Sequence, residues 1–428
     1  MYADLPFRNI RDVLGLHAKT TPHKNFLVYY DAEGKRHEYS YAIFTAMVHQ
    51  TANLLYEDLK VQRGDVIAVA GRMHPHLLAI EVACWLVGAT VIPIVARNQS
   101  IHEYIEPEYI YYDLRDSGAR IAFADSEWVA ADFQQYVNKI DTLEGMIQVG
   151  GERRDDILLF AELANNRPTS FLGDDIGAKG ADVPLKAGDE RTARLNDVAL
   201  KVMDKSGMPV TQGEVLAGAR GAVEAHNITG GTVLLQYDDA HEGSSLIQSV
   251  LPTLYAGASL VFFHHSLSNK FWEIVARERV HVALFDAGFG FEDLLNLGIA
   301  NQTQGKRLFG ANVMRQDIKQ FRHIQTTYSN KTPHQEVVSL YGFPIILTAY
   351  SDVTAGIFAT IPITLDWQSQ QAILAQEHPT LSLVRGYEIE IREGNKIFVR
   401  GNGIYEWTDT DCEGTWNEET KQLTLFVV

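Results

Sequence analysis

The chain has 428 residues, 46% hydrophobic and 21% charged, with 54 Asp and Glu against 37 Lys and Arg, a formal net charge of -17. That length asks for two or three structural units. The acidic balance excludes nucleic acid as a main partner and fits an anionic membrane surface poorly, because both demand a basic face. Its plain reading is solubility. Cys84 and Cys412 are far apart, and Cys84 sits in the apolar run "IEVACWLVGATVIPI", which reads as a small buried hydrophobe. With no disulfide framework and no paired-Cys zinc pattern, the expected compartment is the reducing cytoplasm. The opening "MYADLPFRNIRDVLG" lacks a signal-peptide pattern, and no apolar run is long enough to span a bilayer.

From Tyr41 to Leu59, Ile43, Phe44, Met47, Val48, Ala52 and Leu55 recur at three- and four-residue spacing, an amphipathic helix with Ser40 as its N-cap. "GDVIAVAG" is a short buried strand, "HPHLLAIEVACWLVG" a helix ending at Gly88, and "ATVIPI" a second strand. Strand, helix and strand with short links imply a parallel sheet. The pattern returns in "YYDLRDSGARIAFAD". Arg167 to Glu190 is rich in Gly, Asp and Pro and reads as an exposed or mobile linker. Next come strands "DVALKVM" and "GTVLLQY", helix "SSLIQSVLPTLYAG", strand "ASLVFF", helix "NKFWEIVARERV", and strands "HVALFDA" and "PIILTAY". Past Pro362, "YEIEIREGNKIFVRG" and "KQLTLFVV" alternate with period two around turns, an antiparallel β element. The fold class is therefore α/β: two parallel-sheet lobes with packed helices and a small C-terminal antiparallel β module. The expected divisions are residues 1–190, with the linker at about 167–190, then 191–364 and 365–428.

One stretch carries the functional question. "VMDKSGMPVTQGEVLAGARG", Val202 to Gly221, reads as a strand, a loop of small residues and a helix, the usual frame for a phosphate. A nucleotide loop also needs a cation near the phosphates, and between Lys205 and Arg220 there is none. The spacing of Gly207 and Gly213 is wrong for a Walker loop, and Glu214 stands where a cation belongs.

The order of these pieces resembles the N-terminal domain of the adenylate-forming superfamily: acyl-CoA synthetases, acyl-ACP ligases, adenylation domains and luciferases. "EYSYAIFTAMVHQTANLLYEDLKVQRGDVIAVAG", "LLAIEVACWLVGATVIPI", "DLRDSGARIAFAD" and "SLIQSVLPTLYAGASLVFF" carry the likeness from about Asn25 onward. The resemblance implies ATP or AMP with magnesium as cofactors of any active form. It also implies a carboxylic-acid ligand, and a protein partner such as an active synthetase or a carrier protein.

The motifs that handle ATP depart from the family pattern. Its phosphate loop resembles "TSGTTGKPKG"; here Ser206 and Gly207 within "SGMP" are the remnant, while "EVLAGARG" matches the helix that follows. The family's "YGxTE" aligns with "LTAYSDVTAG". Tyr350 stands either as an adenine platform or as a strand-end core aromatic; Ser351 replaces the glycine, and Asp352 and Thr354 are the partial substitutes. Asp411 is the best match to the ribose-binding aspartate, with Asp409 as competitor and an ordinary β-turn as the alternative. "YDDAHEGSS" stands at the aromatic-His element that lines the acyl pocket, with Tyr237 and His241 as candidates and a solvated loop as the plain alternative. The chain stops at "LFVV", where the family enters its mobile C-terminal domain. Elsewhere, "GFGFED" at Gly288 lacks the third glycine of a dinucleotide fingerprint, and His264-His265 and His74/His76 lack carboxylate or Cys partners at ligand spacing.

The expectation is a degenerate acyl-CoA synthetase-like protein, a pseudoenzyme without a catalytic residue or metal site of its own. Two alternatives stand beside it: an active carboxylate-adenylating ligase completed by a domain from elsewhere, and a structural interaction domain with a closed pocket.

Overall fold

The structure, a computed structural model, describes residues 5–94, 107–153, 157–171, 193–202, 208–237, 246–285, 302–303, 306–309, 313–327, 345–351, 356–362, 365–376, 378–401 and 404–426. Helix α1 (Ile10–Thr20) starts on Asn9, whose side chain accepts from Asp12 N. Strands β1 (Asn25–Tyr30) and β2 (Arg36–Ser40) pair antiparallel. Helix α2 (Tyr41–Asn53) begins at Ser40, whose Oγ accepts from Ile43 N at 3.2 Å, as the sequence predicts. Phe44, Val48 and Ala52 of its apolar stripe are buried, whereas Ile43 is 51% exposed. Strand β3 (Val66–Ala70), helix α3 (Pro75–Val87) and parallel strand β4 (Thr90–Ile94) make the expected βαβ unit. Gly88 stops α3 in the left-handed region, at φ 79°.

Helix α4 (Pro107–Ser117), strand β5 (Ile121–Ala124), helix α5 (Glu127–Val137), strands β6 (Gly145–Gln148) and β7 (Leu158–Leu159) and helix α6 (Phe160–Ala164) follow. Then come β8 (Val198–Val202), β9 (Met208–Thr211) and α7 (Gln212–His226). The first sheet runs in the order β7-β6-β5-β3-β4-β8-β9. Its alternation serves two layers: Ile67, Val69 and Val91 join one core, and Ala68, Ala70, Ile92 and Ile94 join another with Val129 and Phe133 of α5. Sequence order groups β8 with the second lobe, but its hydrogen bonds lie in the first sheet, where Leu200 pairs with Val91.

The second half contributes β10 (Val233–Gln236), α8 (Leu251–Ala256), β11 (Ser259–Phe263), α9 (Phe271–Arg277) and β12 (Val282–Phe285). Short strands β13 (Gln302–Thr303), β14 (Lys306–Phe309) and β15 (Val313–Met314) form a three-stranded sheet. Strands β16 (His323–Thr327), β17 (Ile345–Ser351) and β18 (Gly356–Thr360) precede helix α10 (Trp367–Leu374). Strands β19 (Thr380–Leu383), β20 (Tyr387–Arg392), β21 (Lys396–Gly401), β22 (Ile404–Asn417) and β23 (Gln422–Phe426) complete the described chain. The order β2-β1-β11-β10-β12-β16-β17-β18-β19-β23-β22-β21-β20 makes one thirteen-stranded sheet. It is parallel from β1 to β17 and antiparallel from β18 onward, so the C-terminal β element is continuous with the second lobe. The N-terminal β1 also belongs here, through parallel pairing with β11. No helix among the described residues is long and apolar enough to cross a membrane.

The segment expected as an exposed linker starts out anchored. Asn53 Nδ2 donates to Pro168 O at 2.9 Å and Ser170 O at 2.8 Å, and Gln50 Nε2 to Arg167 O at 3.1 Å. Arg11 Nη2 reaches Phe171 O at 2.9 Å, and the Phe171 ring is buried. Polar side chains of α1 and α2 thus satisfy carbonyls that composition alone assigns to water. Residues 172–190 of that call lie outside the described residues.

A single buried amide connects three helices. Gln212 is fully buried at the start of α7; its Nε2 donates to Trp85 O of α3 at 2.7 Å, and its Oε1 faces Ile10 N of α1 at 3.5 Å. Trp85 Nε1 donates in turn to Ala199 O of β8 at 2.9 Å. Replacing Gln212→Leu strands those buried groups, and a urea midpoint shift equivalent to about 1–3 kcal/mol is expected. A shift within about 0.5 kcal/mol, the range of neutral surface changes, would remove the amide from this role.

Candidate functional site

The Val202–Gly221 stretch folds as a hairpin followed by a helix. Strands β8 and β9 pair antiparallel, Val202 opposite Met208 and Leu200 opposite Val210, and α7 starts directly after β9. Residues 203–207, which carry Ser206 and Gly207, form the connection and lie outside the described residues. The hairpin separates that loop from the N-terminus of α7, and the N-terminus has its own partners. Gln212 N donates to Asp197 O and Gly213 N to Leu195 O, both at 2.9 Å. Glu214 N donates to Thr211 Oγ1 at 3.3 Å, while the Glu214 carboxylate accepts from Thr211 N at 2.7 Å, a full capping box. The first three amides are therefore taken, and the positive end of the helix dipole already faces a carboxylate. A phosphate does not fit there.

Lys201, the nearest cation on β8, lines a cleft of about 370 Å³ with Arg63, Gly64, Val66, Gly88, Thr90, Asn196, Asp197 and Val198. These residues mark the N-terminal ends of β3, β4 and β8, and Arg63 pairs with Asp197 at 3.0 Å. Open α/β sheets bind ligands at the opposite edge, outside the C-terminal ends, where the strand order reverses.

Side chains from neighbouring strands meet near the two reversal points at that edge. In the first sheet β3 lies between β4 and β5, and there Asp125 Oδ2 accepts from Arg72 N at 2.7 Å. Gly71, at φ 137°, admits the contact because a Cβ would come within 2.1 Å of Asp125 Cγ. In the second sheet β10 lies between β11 and β12, and Tyr237 follows β10, its N donating to Leu284 O at 2.9 Å. The Tyr237 ring stacks on Phe285 at 4.4 Å between centroids and 17° between planes. Phe271 and Phe263 meet it edge-on at 5.5 and 5.7 Å. Only 7% of Tyr237 is exposed, so this residue is part of an aromatic cluster and not of a solvated loop. His241 lies outside the described residues.

Tyr350 and Ser351 end β17, beside the end of β16, and their backbones pair with Ile357 and Gly356 of β18. The register shifts between Ala349 and Tyr350. Asp352 and Thr354 fall in the β17–β18 turn, outside the described residues. Asp411 sits in β22, where the register to β21 shifts between Lys396 and Phe398. Thr410 Oγ1 donates to Ile397 O at 2.9 Å within that irregularity. Its competitor Asp409 pairs with Lys396 at 3.4 Å. Strand β22 packs against β17, so the strands carrying Asp411 and Tyr350 are neighbours.

The remaining candidates have local tasks. His74 caps α3, accepting from His76 N, and His264 accepts from Ser266 N. Burial pushes the His74 pKa down to about 3. Cys84 is fully buried, which raises its thiol pKa well above the ordinary value. No group of three or more His, Cys, Asp or Glu among the described residues is placed to hold a metal ion. The Tyr237–Phe285 stack escapes sequence reading, because the partners are forty-eight positions apart and meet only through parallel pairing of β10 with β12.

Comparison with known proteins places this geometry. Residues 15–199 match the AMP-binding enzyme family. No curated protein matches the chain in sequence. Among solved structures, a putative long-chain-fatty-acid CoA ligase from Rhodopseudomonas palustris superposes with a TM-score of 0.75 at 14% identity, covering 98% of this chain and 99% of that one. The N-terminal domain of FACL13 from Mycobacterium tuberculosis gives 0.73 at 14% identity, with 98% and 99% covered. The anthranilate CoA ligase AuaEII, solved with anthranoyl-AMP, gives 0.73 at 14% identity, with 99% of this chain and 78% of that one covered.

Tyr237→Ala is expected to cost about 3–5 kcal/mol in denaturant unfolding, as for other large buried aromatics. A cost below about 1 kcal/mol would return Tyr237 to a solvent-facing loop. Residues 15–199 match the AMP-binding enzyme family, and the chain has the fold seen in these CoA ligase structures.

Proposed function

We propose that this protein is a degenerate acyl-CoA synthetase-like protein that does not carry out acyl adenylation and thioester formation by itself. Its retained fold holds a carboxylic-acid ligand of acyl or aryl type, or a protein partner such as an active synthetase or a carrier protein. The observation that carries the reading is the Val202–Gly221 stretch: a hairpin whose helix is capped by Thr211 and Glu214, with no cation between Lys205 and Arg220. Adenylation is chiefly positioning and neutralisation of developing charge, and losing one such donor typically costs about 100-fold or more in rate. Val353 and Thr354 stand where the resembled motif has Thr and Glu, which removes the carboxylate that would hold magnesium.

The Tyr237–Phe285 stack favours a second reading, an interaction domain whose pocket is filled by its own aromatic side chains. In that case the functional element is the fold's surface and not a ligand site. An active ligase completed by a domain from elsewhere is the third outcome.

Calorimetry with ATP–magnesium, AMP and a panel of carboxylic acids, run beside a pyrophosphate-exchange assay, separates the three. Binding of an acid without exchange is the expected result. Exchange with any acid would sink the degenerate reading, and no binding at all would leave the interaction domain.

A further inference from the structure

The C-terminal end of α7 meets the second sheet through imidazoles that nothing above uses. His226, the last residue of α7, is fully buried, and His323, the first of β16, is 3% exposed. Their ring centroids lie 5.6 Å apart, with 35° between planes. Among the described residues, both ring nitrogens of His226 and Nε2 of His323 have no hydrogen-bond partner. Imidazole nitrogens rarely go unpaired in an interior, because each orphaned polar group carries its desolvation penalty.

The charged surroundings offer an added proton nothing. Just before β16, the half-buried Arg322 donates to Asn227 O at 3.3 Å and to Thr232 Oγ1 at 3.2 Å, and its positive charge acts on both imidazoles. His281, just before β12, accepts from Val233 N through Nδ1 at 3.1 Å and feels the same guanidinium. On α7 itself, Arg220 and Glu224 pair with each other at 3.3 Å. Tyr255 of α8 faces that pair, and Tyr387 lies against Gly221. Strands β9, β10, β12 and β18 bring no titratable side chain; β8 brings Lys201, which lines the Arg63 cleft, and β17 carries Tyr350 at its far end. No described carboxylate stands against either ring.

We propose that the His226–His323 pair is a proton-sensitive joint, which holds the end of α7 against the second sheet while both imidazoles are neutral and releases it when they charge. A charge on either ring would be buried, unpaired and close to Arg322, and moving the end of α7 into water is the shortest relief. The other end of α7 stays bound to the first sheet through Gln212 and Thr211, so release at His226 loosens the link between the two sheets.

Burial depresses both groups in the closed form, His226 to about 3 and His323 well below 6.5. The open form titrates near the ordinary value of 6.5. Stabilisation by the joint is therefore complete above that value and is lost progressively as pH falls below it. Each imidazole adds up to about tenfold per pH unit to the closing constant.

The test compares wild type, His226→Phe, His323→Phe and the double variant by urea unfolding and hydrogen exchange between about pH 7.5 and 5. His17, His74 and His76 are also held below their ordinary value and give the same background in all four proteins. The folding constant of wild type should fall more steeply with acid than that of the double variant, by up to about 100-fold per pH unit, with each single variant between them. Amides of residues 222–227 should open ahead of those in β10. Equal pH slopes for wild type and the double variant would overturn the joint. Should the variants not fold, wild-type exchange decides: acid opening of 222–227 ahead of β10 supports the proposal, and simultaneous opening refutes it.

Discussion

The two sheets depend on the way α7 is pinned between them. At its start the buried Gln212 amide donates to Trp85 O on α3, and Trp85 donates to Ala199 O on β8. At its end His226 packs on His323 of β16, and Arg322 reaches Asn227 O. The Gln212 and Trp85 hydrogen bonds are buried; each is individually modest, but leaving one unmade is expensive. The helix therefore has little freedom to slide, and the continuous core that includes residues of both sheets is built around it. The capping box of Thr211 and Glu214 belongs to the same arrangement, because it sets where the helix starts relative to the β8–β9 hairpin.

That constraint bears directly on nucleotide chemistry. A helix start that spends its amides on Asp197 O, Leu195 O and Thr211 Oγ1 has none to offer an anion. At the C-terminal edges of the strands where the order reverses, Asp125 accepts from Arg72 N and Tyr237 stacks on Phe285.

Some features were legible in the sequence because their causes are local. The Ser40 cap, the Gly88 stop in the left-handed region and the β3–α3–β4 order need only neighbouring residues. The likeness of the whole series of elements to adenylate-forming enzymes was legible for the same reason, since order and spacing are properties of the chain. Ile43 shows the limit: periodicity assigned it to the buried face, and it lies 51% exposed at the first turn. The start of the supposed linker shows another. Its composition is that of a loop, yet Asn53, Gln50 and Arg11 from distant helices hold its carbonyls.

The sequence by itself determined the order of the main helices and strands, the acidic balance and the absence of a cation between Lys205 and Arg220. Each rests on local propensity or on composition, which no folding step alters. Only the tertiary structure decided that β1 joins β11, that β8 belongs with β4, and that Tyr237 closes against Phe285. Those are pairings between residues far apart in the chain. Their free energy comes from surface removed from water when the sheets assemble, and no window of sequence contains both partners.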